Sequence, residues 1–246
     1  MGCRVRWPVT IDPGLTLSRP DPLPGQLLPR SFFEDRPDLV APRLLGKLLV
    51  HRTRTGPLVG RIVEIEAYMG PHNDPPDPAA HAHRGPTPRN EVLFGHAGHA
   101  YVYSIYGRYF CMNVSCERKG QAGSVLLRAL EPIAGLEQMA RNRGLSNFAT
   151  EWTGELTHRL ACQLTSGPSR LCQAMAILRT SHNGLDLTDP ESRFQIRNDG
   201  FAVPEVNVTT RIGISEAVDW PLRFVIPGHR CVSGRRSLSG HRIFLS

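Results

Sequence analysis

Apolar and polar positions alternate most regularly in LVGRIVEIEAY, residues 58–68, and the β-branched alternation predicts a strand. KLLVHR just before it predicts another, as does GSVLLRALEP at 123–132. Residues 98–106 and 108–116 read as two strands broken at Tyr106-Gly107, which is a hairpin signal. Helical spacing is confined to a few places. IAGLEQMARNRG, 133–144, predicts a helix ending at Gly144. SGPSRLCQAMAI predicts a second, starting behind Pro168. Asp38 is placed to cap a short helix through LVAPRLLG, which Pro42 should hold to its first turn. FAVPEVNVTTRIGI and WPLRFVIPG read as short strands and turns. The stretch MGPHNDPPDPAAHAHRGPTPRN, 69–90, is too rich in proline for regular structure, and so long a loop in a compact domain is functional or disordered. There is no internal repeat and no linker after residue 31. The pattern predicts one α+β domain.

The ends differ from the middle. Residues 1–30 are rich in Pro, Gly and Arg without a period, and read as a disordered extension or a mis-assigned start. They have no apolar leader core, and the chain has no run of apolar residues long enough to cross a membrane. The net charge is +7, and among 29 basic residues only Lys47 and Lys119 are lysines. An arginine-rich basic chain suits a polyanionic partner, though base composition of the genome alone can produce it. Six cysteines form no C-x-x-C pair and match no zinc spacing, which predicts reduced thiols packed as small hydrophobes in a cytoplasmic protein.

Candidate chemistry concentrates in two places. Glu64, Glu66 and Tyr68 sit two apart and therefore share a strand face, with Ile65 and Ala67 on the other. A carboxylate beside an aromatic ring can act as a general base on water, or the pair could serve glycoside hydrolysis; a solvated strand face without a role is the plain alternative. The second place is the hairpin. Four of the five tyrosines, Tyr101, Tyr103, Tyr106 and Tyr109, fall within nine residues. Cross-strand packing explains most of them, but a tyrosine at the tip has no core to fill and suits a wedge between stacked bases. Tyr101 and Tyr103 share a face that could stack on a planar ligand. His72, His81, His83, His96 and His99 cluster, yet HAH and HAGH lack the register of a zinc motif, so no metal is expected. Neither lysine lies near these motifs, which argues against a Schiff base, and no phosphate-binding glycine loop or cofactor motif is present.

EIEAY, AAHAHRGPTPRN, GHAYVYSIYGRYFCMNV, VLLRALEPIAGLE and SGPSRLCQA, taken together and in this order, resemble the alkyladenine (3-methyladenine) DNA glycosylases from about Ser31 to Ser233. The resemblance implies a single mixed domain, 31–233, with a curved, largely antiparallel sheet flanked by helices, and an unmatched basic tail at 234–246. It implies a monofunctional base-excision repair enzyme that flips alkylated or deaminated purines out of duplex DNA and hydrolyses the N-glycosidic bond. In that family's pattern Glu66 activates the attacking water and Arg128 lies beside that water. Tyr68, His81 and Tyr103 wall the base pocket, and Asn113 crowds the 2-amino group of guanine. Tyr106 fills the gap in the helix, and Tyr101 is left a packing role. His83 could exchange with His81 if the loop register slips. No cofactor, double-stranded DNA with a damaged purine as partner, no membrane contact and a cytoplasmic monomer, nucleoid-associated if the source is bacterial, complete the expectation. Two readings compete: an O-glycoside hydrolase using Glu64 and Glu66, and a binder of distorted DNA that does not cut.

Overall fold

A computed structural model describes residues 23–145, 161–234 and 240–245. Ten strands form one open sheet in which every pairing is antiparallel. In chain order they are β1 (Gln26–Leu27), β2 (Leu48–Thr53), β3 (Gly56–Tyr68), β4 (Ala100–Ile105), β5 (Tyr109–Cys116), β6 (Gly123–Ala134), β7 (Phe194–Asn198), β8 (Glu205–Thr209), β9 (Arg223–Val225) and β10 (His241–Phe244). The main path runs β1-β7-β2-β3-β6-β5-β4, and β9, β8 and β10 branch from β3. Helices α1 (Pro37–Leu44), α2 (Leu136–Asn142) and α3 (Pro168–Ala174) supply core residues, and α4 (Arg179–His182) lies beyond them. Leu44, Ile62, Ile65, Met112, Leu127, Met139, Leu171 and Phe194 are all buried in that one core. The α+β reading of the alternation therefore holds.

β3 organises the rest. Its first half pairs β2 and Glu64–Glu66 pair β9, while β6 pairs along its length. The β3–β6 ladder is not regular. Ile62 pairs Leu130 and Glu64 pairs Ala129, so Val63 is an extra residue on β3. Ile65 then pairs Leu127, so Arg128 is an extra residue on β6. Each bulge reverses the facing of the residues beyond it on its strand. Leu58 and Ile62 face the main core before the bulge, and Ile65 and Ala67 face it after. Val63 and Ala129 turn to a small separate cluster with Cys162 and Cys231. The shift frees Glu64, Glu66 and Tyr68 to share a face that the core does not occupy.

Several expectations need correction. The helix at LVAPRLLG begins one residue before Asp38, with Pro37 at its first position, and continues through Pro42. Asp38 pairs with Arg36 instead of capping. Ile133 and Ala134 complete β6, so α2 starts only at Leu136, after Gly135 has turned the chain with φ +77°. Residues 23–30 are not outside the domain: β1 pairs β7, Leu28 is in the main core, and Arg30 pairs with Asp186. Residues 241–244 of the expected tail pair with β8 as β10. The reading of residues 1–22 lies outside the described residues. Cys111, Cys116 and Cys172 are free and buried as expected, but Cys162 and Cys231 form a disulfide. Among the described residues no helix is long and apolar enough to cross a membrane.

Candidate active site

A cavity of about 510 Å³ opens where β3, β6 and the hairpin β4–β5 meet the segment at 212–214. Tyr68, His81, Tyr103, Asn113 and Arg128 line it, and Tyr106 stands at its rim. Every base-pocket residue expected from the sequence is thus in one place. His83 does not line the cavity, which favours the unshifted loop register.

The walls are aromatic and held from behind. Tyr103 stacks on Tyr101 at 5.4 Å between ring centres, and His81 meets Tyr103 edge-on at 4.5 Å. Tyr101 is buried, and its hydroxyl lies 3.0 Å from Nδ1 of His81. Its packing role therefore extends to orienting His81. Burial, with Arg89 nearby, lowers the pKa of His81, so the ring is neutral at pH 7. The loop that carries it is stapled by Asn90, which donates to the carbonyls of His81 (2.8 Å) and Gly85 (3.1 Å) and accepts from the N–H of Thr87 (2.7 Å). Tyr68 is backed by Arg211, whose guanidinium carbon sits 4.6 Å from the ring centre. Arg211 is itself fixed by a fully buried ion pair with Asp77, which also accepts from the N–H of Met69. That pair gives a Pro-rich loop the anchoring that regular structure would otherwise supply.

Glu66 lies directly behind this wall, fully buried. Its Oε2 accepts from the Tyr68 hydroxyl (3.0 Å). Its Oε1 accepts from the N–H of Ile212 (2.7 Å) and pairs with Nη1 of Arg128 (3.1 Å). Burial works against the charge on Arg128, but Glu66 and Glu64 outweigh it and raise its pKa. Burial and the neighbouring Glu66 carboxylate raise the Tyr68 hydroxyl well above its ordinary range, so it stays a donor. Glu64 is also fully buried, and like Glu66 it sits behind the lining rather than in it. It accepts from Nε of Arg128 (2.9 Å), Nε of Arg223 (2.8 Å) and both the N–H and hydroxyl of Ser233. Four donors thus hold the second carboxylate that a two-carboxylate glycosidase would need.

At the floor, Asn113 donates to the hydroxyl of Ser124 (2.9 Å), while its own Oδ1 is buried without a partner. At the rim, Tyr106 is 90% exposed, and it and Gly107 have φ of +49° and +71°. The N–H of Arg108 closes the turn on the carbonyl of Ile105 (3.3 Å). Two positive φ values make this a type I′ turn, where Asn-Gly is favoured and a bulky aromatic is strained. Neither burial nor turn chemistry accounts for a tyrosine there.

Sequence reasoning missed Arg223, Ser233, Arg211, Asp77 and the N–H of Ile212. None carries a local motif, and each comes from chain more than 130 residues from its partner on β3 or its loop. Arg211 and Arg223 were visible only as members of an arginine-rich composition.

Known proteins share this sequence along most of its length. The family described as "Methylpurine-DNA glycosylase" matches residues 31–230. A Koribacter versatilis protein is 50% identical over 211 residues, covering 86% of this chain and 95% of its own. A Methanoculleus marisnigri protein is 45% identical over 212 residues (85% and 99%), and a Burkholderia cenocepacia protein 43% over 214 (87% and 94%). All three are named as inferred 3-methyladenine DNA glycosylases.

Proposed function

The chain belongs to the methylpurine-DNA glycosylase family and is a DNA glycosylase, a repair hydrolase of N-glycosyl bonds; from that premise we propose that it flips alkylated or deaminated purines out of duplex DNA and releases them without cutting the strand. The observation that carries this reading is a buried carboxylate, Glu66, set behind an aromatic cavity whose rim holds a strained, exposed tyrosine. A purine reaches such a cavity only by leaving the base stack. Tyr106 enters the gap it leaves. Tyr68, Tyr103 and neutral His81 stack against the ring, and electron-rich tyrosine favours electron-poor alkylated bases.

Glu66 acts as the general base. Among the described residues its Oε2 has the Tyr68 hydroxyl as its one hydrogen-bond donor, which leaves an acceptor position for water. The C1′–N bond lengthens toward an oxocarbenium ion, the electron pair leaves with the base, and water adds to C1′ as Glu66 takes its proton. The carboxylate also stabilises the developing positive charge. Arg128 pairs with Oε1 of Glu66 and lies on the cavity wall. Neither of the two lysines lines the cavity, in keeping with attack by water and with no strand-cutting step. The 3-methyladenine activity in the relatives' names is included among the lesions proposed.

The deciding experiment is single-turnover base release. Excess enzyme is mixed with duplexes carrying one hypoxanthine, one ethenoadenine or methylated purines, then treated with alkali. Strand breaks should arise with wild type, only after alkali, and disappear with Glu66→Gln while lesion binding is kept. Breaks without alkali, or release by Glu66→Gln at the wild-type rate, would overturn the reading.

A further inference from the structure

We propose that Glu64 is a positioning residue, which aims the Arg128 guanidinium at Glu66 and never meets the substrate.

Arg128 needs such a partner because of where it sits. It is the extra residue of a bulge, and the ladder that fixes ordinary strand side chains does not fix its direction. Its Nε is taken by Glu64 (2.9 Å), which leaves Nη1 in ion-pair contact with Oε1 of Glu66 (3.1 Å). The carbonyl of Ile212 and the hydroxyl of Ser233, each 3.4 Å away, complete its contacts.

Glu64 is itself over-determined. Four donors from three separate parts of the chain converge on its two oxygens, and it is fully buried. Two of those donors come from Ser233, two residues beyond the Cys162–Cys231 disulfide. Ser233 also accepts from Arg223 through its carbonyl (2.9 Å). Arg223 is buried and pairs with Glu64, so two guanidinium groups, Arg223 and Arg128, face the two carboxylates Glu64 and Glu66, with Arg128 in contact with both. With Arg128, Arg223 and the Ser233 hydroxyl on Oε1 and the Ser233 N–H on Oε2, Glu64 spends its acceptor capacity on groups of the fold. It is well placed to keep another side chain still.

Glu64→Gln puts an amide N–H₂ among donors, so Arg128 loses its fixed direction. Release of hypoxanthine in single turnover should slow by roughly 10²-fold, the cost of a misplaced group near the chemistry. Affinity for the lesion duplex should stay within about twofold. In an Arg128→Ala background the same change should add less than about twofold, because its effect runs through Arg128. Ser233→Ala, a milder change, should slow release several-fold, and Ser233→Thr should restore it. A wild-type rate in Glu64→Gln, an equal loss of binding and rate, or full multiplication with Arg128→Ala would overturn the inference. If Glu64→Gln does not fold, Ser233→Ala decides, and a wild-type rate there overturns it. The inference rests on the roles proposed above for Glu66 and Arg128. Wild-type enzyme that releases no lesion base removes those roles and this one together. Wild-type release with unaltered variants removes this one alone.

Discussion

The Tyr68 hydroxyl donates to Oε2 of Glu66 across 3.0 Å, two residues along one strand face. One residue thus supplies both a wall of the cavity and a hydrogen bond to the carboxylate behind it. Tyr68→Phe keeps the wall and removes the bond. A hydrogen bond to a charged group contributes about 1.5–3 kcal/mol. Base release should slow by at least tenfold while lesion affinity holds, as read by single turnover beside equilibrium binding. Equal rates would mean that the hydroxyl does not orient Glu66.

Tyr106 should trade stability against flipping. Asparagine is favoured at its turn position, so Tyr106→Asn should raise the unfolding midpoint. The same variant should lose most of the signal from a fluorescent base flipped at the lesion. Salt-dependent affinity for undamaged duplex should change little, since phosphate contacts set it. An undiminished flipping signal would remove the wedge role.

His51 and His182 form a buried pair, 3.3 Å apart between their Nε2 atoms. Nδ1 of His182 accepts from the N–H of Leu178 (3.2 Å), so its Nε2 carries the proton and donates to His51. Nδ1–H of His51 then donates to the carbonyl of Met175 (2.8 Å). Burial, and then His51, lower the pKa of His182 to about 4, and burial lowers that of His51. The unfolded chain takes up these protons as pH drops below about 6.5, and the folded chain resists. Stability from the pair is complete above that pH and is lost as pH falls toward 4. Thermal unfolding midpoints across this window should fall less steeply in the His51→Phe, His182→Leu double variant than in wild type.

The disulfide spans 69 residues of sequence, for which the chain-entropy model gives about 4 kcal/mol. Cys162→Ser should lower the unfolding midpoint, and reductant should lower wild type but not the variant. Alkylation of unfolded protein before and after reduction should differ by two labels. No difference would show a free dithiol.

Much of the site was legible because strands announce themselves by alternation. EIEAY and the tyrosine hairpin could be placed on faces from spacing alone, and Tyr68, Tyr103 and Tyr106 from them line the cavity. The segments joined by tertiary contact were not legible. FQIRN became β7 only because β2 offered an edge, and Gln26–Leu27 became β1 only because β7 did. Cys162 and Cys231 carry no spacing signal, so their meeting depends on the sheet that brings them together. Arg223 and Ser233 reach Glu64 for the same reason. Alternation also hid its own interruption. Reading Glu64, Glu66 and Tyr68 as one face was right, but nothing in the pattern told that Ile62 faces away from them.

That interruption has a consequence for variation. The core and the cavity are written in two reading frames of one strand, and Val63 is the letter that shifts between them. A single deletion at Val63 would act like a frameshift in three dimensions, sending Glu66 and Tyr68 into the oily interior and Ile65 and Ala67 into the cavity. Arg128 is the compensating insertion on the neighbouring strand. Length on this pair of strands is therefore locked unless both are altered together.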